Sequence, residues 1–257
     1  MGEITKISWT DSTFNPWVGC QRVSPGCEHC YAEALDKRVG GAFLDGVKSL
    51  RWGPSAPRIR TSEANWRKPL AWNRRAEKAG KRHRVFCSSM ADVFEDRPEL
   101  VPWRADLFGL IRATPALTWQ LLTKRPENIL RLWPECVPPP SASDWPNVWP
   151  GTTVEDQPRA EERIPWLVAV PAAVRFLSCE PLLGPLDLSR WLDEDETGFV
   201  SLIDWVIIGG ESGPKARPFN VGWARDLVRQ CRDGGRAEAA PFVKQLGAQP
   251  RGFCHNS

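Results

Sequence analysis

Trp205-Val206-Ile207-Ile208-Gly209-Gly210-Glu211 opens with an unbroken apolar run, β-branched at its centre, and stops abruptly at two glycines and an acid. A strand with one wet face would alternate apolar and polar residues. An unbroken run is instead the mark of a strand covered on both faces, as in a parallel sheet. From about residue 84 onward nearly continuous apolar runs return in Val85-Phe86-Cys87-Ser88-Ser89, Thr118-Trp119-Gln120-Leu121-Leu122-Thr123-Lys124 and Val148-Trp149-Pro150-Gly151-Thr152-Thr153. They recur in Val174-Arg175-Phe176-Leu177-Ser178-Cys179-Glu180 and Phe242-Val243-Lys244-Gln245. Helical spacing separates the runs: Leu100, Trp103, Leu107, Leu110 and Ile111 after Pro98, and later Trp223, Leu227, Val228 and Cys231 before Gly234-Gly235. Pro150 predicts that its strand is short or begins beyond it. One more strand is expected near Ile7-Ser8-Trp9.

Alternating strands and helices predict an α/β fold with right-handed crossovers. The expectation is a partial or full parallel (β/α) barrel of about six to seven strands, favoured over a doubly wound sheet. An N-terminal cysteine loop and a basic insertion complete it. Residues 1–257 are read as one domain, and residues 40–83, which lack strand character, as an insertion carrying Trp and basic residues.

The chain has 257 residues, 25% charged and 42% hydrophobic, an ordinary globular composition rather than a disordered one. No stretch approaches the roughly 20 apolar residues of a membrane helix, so no membrane partner is expected. The first residues, Met1-Gly2-Glu3-Ile4-Thr5-Lys6, lack the apolar core of a secretion signal, which predicts a cytoplasmic protein with reduced thiols. Net charge is only +3, but between Arg51 and Arg84 eleven Lys or Arg face two acids. Trp52, Trp66 and Trp72 are interleaved with them. Cations beside flat rings suit single-stranded nucleic acid. Arg74, Arg75, Arg82 and Arg84 are the candidates for that face, and the competing reading is a solvated helix docked by its Trp side chains. Asp193-Glu194-Asp195-Glu196 reads as an exposed loop and Cys136-Val137-Pro138-Pro139-Pro140 as a rigid surface connection.

In either α/β architecture ligands gather at the C-terminal strand ends. Those ends are Ser88-Ser89, Thr123-Lys124, Thr152-Thr153, Ser178-Cys179-Glu180, Gly209-Gly210-Glu211-Ser212 and Lys244-Gln245, which together describe a polar pocket. Helix capping explains single hydroxyls; it explains Glu180 and Glu211 poorly.

The densest chemical signal is Gly19-Cys20-Gln21-Arg22-Val23-Ser24-Pro25-Gly26-Cys27-Glu28-His29-Cys30-Tyr31. Cys27 and Cys30 lie close enough in sequence to share one centre, and a Ser24-Pro25-Gly26 turn can fold Cys20 back toward them. A structural zinc would need a fourth ligand, His29 or a remote residue. A [4Fe–4S] cluster would keep one iron without a protein ligand. Coincidental spacing with no metal is the third option. Cys87, Cys179 and Cys231 sit in apolar patterns and read as core residues.

A three-cysteine loop ending in Cys-x-x-Cys-aromatic near the start of a βα barrel resembles the radical S-adenosylmethionine superfamily. More narrowly, Trp9-Thr10-x-x-Thr13-Phe14-Asn15-Pro16-Trp17-x-Gly19-Cys20 followed by Ser24-x-Gly26-Cys27-x-x-Cys30-Tyr31-Ala32 resembles a phage-associated family of radical-SAM-like proteins of unknown function. Leu121-Leu122-Thr123-Lys124-Arg125-Pro126, Ser178-Cys179-Glu180-Pro181-Leu182 and Ile208-Gly209-Gly210-Glu211-Ser212-Gly213 extend the resemblance to most of the chain. It implies a cluster on Cys20, Cys27 and Cys30 whose open iron binds S-adenosylmethionine for radical chemistry. Asp92 and Ser89 would then hold the ammonium of S-adenosylmethionine, and Lys124 or Arg125 its carboxylate. Glu180 and Ser178 would hold the ribose, Gly209, Gly210 and Glu211 would form the remaining contact, and Tyr31 would pack beside the cluster. Six residues separate the first two cysteines, against three in the commonest superfamily spacing, and Gly-Gly-Glu follows a late strand rather than an early one. As substrate, nucleic acid or a nucleotide fits the basic segment 51–84 with its Trp residues, a peptide or protein being the alternative; an electron donor is expected, and a separately encoded protein is a further candidate partner. The competing class is a noncatalytic nucleic-acid-binding protein stapled by zinc or a cluster.

Overall fold

The computed structural model describes residues 5–39, 42–44, 47–192, 202–233 and 239–252. Seven strands form the main sheet: β1 (Ser12–Thr13), β2 (His83–Cys87), β3 (Leu117–Thr123), β4 (Val148–Thr153), β5 (Phe176–Cys179), β6 (Trp205–Gly209) and β7 (Ala240–Gln245). Their order in the sheet is their order in the chain, and the recorded registers run parallel. A doubly wound sheet reverses direction at a switch point, and this order never does. The fold is therefore α/β with a seven-stranded parallel sheet of the partial-barrel kind.

The chain groups into two compact units, residues 1–150 with 170–173, and residues 151–169 with 174–257. The first carries β1 to β3, α1 (Tyr31–Val39), α2 (Glu63–Trp66), α3 (Lys68–Ala79) and α4 (Leu100–Arg112). Its core is aromatic. Phe14 meets Trp66 and Trp119 edge-on, each with ring centroids 5.6 Å apart. Phe108 on α4 packs against Trp133 and Trp145, whose indole N–H groups donate to Pro138 O at 2.9 and 3.1 Å. The proline-rich connection thus carries the acceptors that let two Trp be buried.

The second unit holds β5, β6 and β7, with α5 (Gln157–Val168), α6 (Ser189–Leu192) and α7 (Val221–Asp233). Val206, Ile207, Ile208, Phe176 and Cys179 are buried, as are Leu227 and Cys231 of α7. Gly151, just past Pro150, leaves room for Phe176: a Cβ there would stand 2.4 Å from the ring. Against expectation β4 is six residues long and starts before Pro150, at Val148, although its registered pairing with β5 begins only at Gly151.

Two further expectations are corrected. Ile7-Ser8-Trp9 is a turn, with Thr10 N donating to Ile7 O at 3.4 Å, and the first strand lies beyond it at Ser12–Thr13. Trp9 is apolar because it packs on Phe86 at 4.7 Å, not because it pairs. The segment 40–83 also has strand pairs: Ala42–Leu44 with Val47–Ser49, and Ile59–Arg60 with Trp17–Val18. Strands this short leave no periodicity to read. Gly234-Gly235 and Asp193-Glu194-Asp195-Glu196 lie outside the described residues.

Candidate functional site

Gly19 has φ +119°, and a Cβ on it would stand 2.6 Å from Arg51 O and 2.8 Å from Arg58 Cδ, so only glycine brings the chain this close. Cys20 follows in a braced position. Gly19 N donates to Met90 O at 2.9 Å, Cys20 N to Arg51 O at 3.2 Å, and Gly53 N to Cys20 O at 2.9 Å. The Ser24-Pro25-Gly26 turn becomes a 3-10 turn over Pro25–Cys27, closed by Cys27 N donating to Ser24 O at 2.9 Å. Cys30 N donates to Cys27 O at 3.4 Å, and α1 starts at the next residue. All three cysteines are partly buried free thiols.

Beside Cys20 lies a guanidinium. Arg125 Nη1 is 3.9 Å from Cys20 Sγ and 2.9 Å from Asp92 Oδ2, and Nη2 donates to Gln21 O at 3.1 Å. Asp92 is buried with four donors around it: Thr123 Oγ1 at 2.7 Å, Lys124 N at 3.1 Å, Phe94 N at 3.0 Å and Arg125 Nη1. Arg125 Nη2 also stands 4.0 Å from Glu95 Oε1, and Glu95 is gripped by the buried Arg58 at 2.6 and 2.8 Å. Arg104 Nε and Nη2 donate to Val93 O and Glu95 O, both at 2.8 Å. Among these five buried groups the three arginines exceed the two carboxylates by one positive charge. Burial, and then the Asp92 carboxylate, push the Cys20 thiol up to about 12, with Arg125 opposing. Burial alone would lower Arg125; Asp92, Cys20 and Glu95 outweigh it and keep the guanidinium charged.

Sequence reading named Cys20, Asp92 and Lys124, and gave Arg125 only as a substitute for Lys124. It missed Gly19, Arg58, Glu95 and Asn15. Asn15 Oδ1 accepts from Met90 N at 2.8 Å and its Nδ2 donates to Ser89 Oγ at 3.1 Å, so Asn15 holds Ser89 in place. The signal was the Phe14-Asn15-Pro16-Trp17-x-Gly19-Cys20 motif itself, read as a label rather than as joints. Tyr31 is exposed, and its hydroxyl donates to Ser89 O at 3.0 Å. Among the described residues no three Cys, His, Asp or Glu side chains are placed to hold one metal ion. A single zinc would need its thiolates about 2.3 Å from the same atom. In a four-iron cluster each thiolate takes a different iron, a wider arrangement.

The other expected contacts belong to the second unit and have partners within it. Glu180 accepts from Lys244 Nζ at 2.7 and 2.9 Å and from Gln245 Nε2 at 2.6 Å. Glu211 accepts from Arg217 Nη2 at 2.6 Å, Nε at 3.0 Å and backbone N at 2.9 Å. Ser178 is buried and its carbonyl accepts from Val154 N at 3.0 Å. Gly209 and Gly210 permit close packing within the protein: a Cβ on them would meet Glu180 at 3.1 Å and Gly247 at 2.8 Å.

The basic segment is corrected in part. Trp66 and Trp72 are 8% and 2% exposed, so they dock the segment on the core and present no ring to a base. Arg58 is the buried partner of Glu95, and Arg84 donates to Asp11 Oδ2 at 3.4 Å. Arg74, Arg75 and Arg82 are exposed.

No helix among the described residues is long and apolar enough to cross a membrane. No curated protein and no solved structure matches the chain. Residues 4–255 match one protein family along almost the whole chain, so the chain belongs to the family described as "Protein of unknown function (DUF5131)".

Proposed function

We propose that this is a radical S-adenosylmethionine enzyme of the cytoplasm, holding a [4Fe–4S] cluster on Cys20, Cys27 and Cys30 and acting on nucleic acid or a nucleotide. The observation that carries the reading is the buried Arg125 beside the Cys20 sulfur, on a loop braced at Gly19, Cys20 and Gly53. A neutral thiol in a core needs no cation. A thiolate that stays charged on a metal centre does, and the arginine excess meets that need.

When bound, such a cluster supplies a low-potential electron to S-adenosylmethionine. This chain's residues do the rest. Arg125 offsets negative charge at Cys20, and Asp92 holds Arg125 against it. Filling the site displaces the Cys20 proton, because thiolates are the ligands. Ser89, whose hydroxyl is bonded to Asn15, and Lys124, whose backbone N donates to Asp92, are the first-unit residues this reading assigns to the amino-acid end of S-adenosylmethionine. The contacts drawn for Glu180 and Glu211 would require Lys244 and Arg217 to give them up. An electron donor is the further partner this chemistry requires, and a separately encoded protein is a candidate one.

The test is metal and sulfide analysis of protein purified without oxygen. About four irons and four sulfides per chain are expected, lost when Cys20, Cys27 and Cys30 are replaced by Ala. With the loaded protein, dithionite and S-adenosylmethionine should yield 5′-deoxyadenosine. Colourless protein with one zinc would replace this reading with the noncatalytic binding module.

A further inference from the structure

Some cations of the segment 51–84 form ion pairs at or below the surface, and others are exposed along one helix. Arg51 is ion-paired with Asp36, Arg58 with Glu95, Arg60 with Asp106 at 3.0 Å and Arg84 with Asp11. On α3 and at Arg67, which joins α2 to it in helical conformation, a different set faces outward. Trp72, Asn73 and Ala76 are buried, while Arg67, Arg74, Arg75 and Lys78 are exposed. At about 100° per residue those four fall within one sector of about 100°, opposite the buried side. They run along about 16 Å of helix. Glu63 stands at the N-terminal end of the line and Glu77 to its side, where it accepts from Asn73 Nδ2 at 2.9 Å.

We infer that this face of α3 is a docking surface for the phosphate backbone of double-stranded nucleic acid. It rests on the nucleic-acid half of the proposed function and not on the cluster. Trp66 and Trp72 are turned inward, and the half-buried Trp52 lies outside the helix, so this face offers none of the stacking that single strands use. A cationic line of about 16 Å is long enough to span the roughly 12 Å of a major groove, which lets its two ends reach phosphates on both strands. With no aromatic or large apolar side chain on the face, it has neither base readout nor an anchor for a lipid surface. Binding is therefore independent of sequence.

The test is fluorescence anisotropy of the full chain with a short mixed-sequence DNA duplex, and with one strand of it, over a salt series. Four phosphate contacts predict a log–log slope of about −3.6, and R74Q/R75Q/K78Q should flatten it by about 2.7. R225Q/R229Q/R232Q removes the same charge from exposed positions on α7 and should leave the slope nearly unchanged. Equal flattening by both variants, or by neither, overturns the α3 assignment while the nucleic-acid reading stands. Tighter binding of the single strand overturns the duplex assignment. No binding to either DNA at low salt overturns both the inference and the nucleic-acid reading, whatever the iron content.

Discussion

Gly19 and Arg58 occupy the same few ångströms, and the position of Cys20 follows from that. Gly19→Ala forces either the Arg51 carbonyl or the Arg58 chain to move, because the new methyl would sit 2.6 Å from one and 2.8 Å from the other. Iron retained per chain after anaerobic purification should fall several-fold, with the first-unit fold largely kept by circular dichroism. Unchanged iron would show that the brace does not govern the cysteine loop. Glu95→Ala asks a separate question, since it leaves Arg58 charged in a site with no solvent. Breaking one side of a buried pair costs about 3–5 kcal/mol, readable as a lower urea midpoint. A loss below about 1 kcal/mol would mean water reaches Arg58. Such partnerships were opaque in the sequence because Arg58, Glu95 and Arg125 are far apart in the chain and carry no periodic mark. The cysteines were legible because their spacing is local.

At the scale of elements, the strands that could be read were those buried on both faces. β6 announces itself by an unbroken apolar run and β3 by one interrupted only at Thr118 and Gln120, and both are buried along nearly their whole length. β1 escaped because it is two hydroxyl residues whose partners, Val85 and Phe86, supply the apolar character. The basic segment showed the opposite error: its Trp residues were visible, but composition does not say which side of a helix they occupy. The helical period does, and it separates Trp72 from Arg74, Arg75 and Lys78. In the second unit, Gly151→Ala drives a methyl into the Phe176 ring. Overpacking of that kind costs about 1–3 kcal/mol. A companion Phe176→Leu should recover part of the loss, and failure to do so would place the strain elsewhere.

For the molecule as a whole, the order of strands was readable while its division into two compact units was not, since the boundary falls inside β4 rather than in a linker. Acid sensitivity is a property at this scale. Burial would raise the Glu33 carboxyl, but hydrogen bonds from Lys37 and Arg22 outweigh it and hold it below the ordinary range. At Asp11 burial is likewise outweighed, by Arg84. Groups with depressed values in the folded state bind protons more readily when unfolded. Their contribution is complete above the ordinary carboxylate values and is lost as pH falls through the lowered ones. Melting temperature should thus decline on acidification below about pH 4, more shallowly in Glu33→Gln. An identical decline in that variant would remove Glu33 from the account.

Tyr31 is the chain's one tyrosine, and it follows Cys30 directly, with its hydroxyl on the Ser89 carbonyl. Biosynthetic incorporation of fluorotyrosine would therefore give a single fluorine resonance, placed by nature beside the thiols. Paramagnetic broadening of that lone line would report an occupied loop in intact cells, before any lysis exposes it to air.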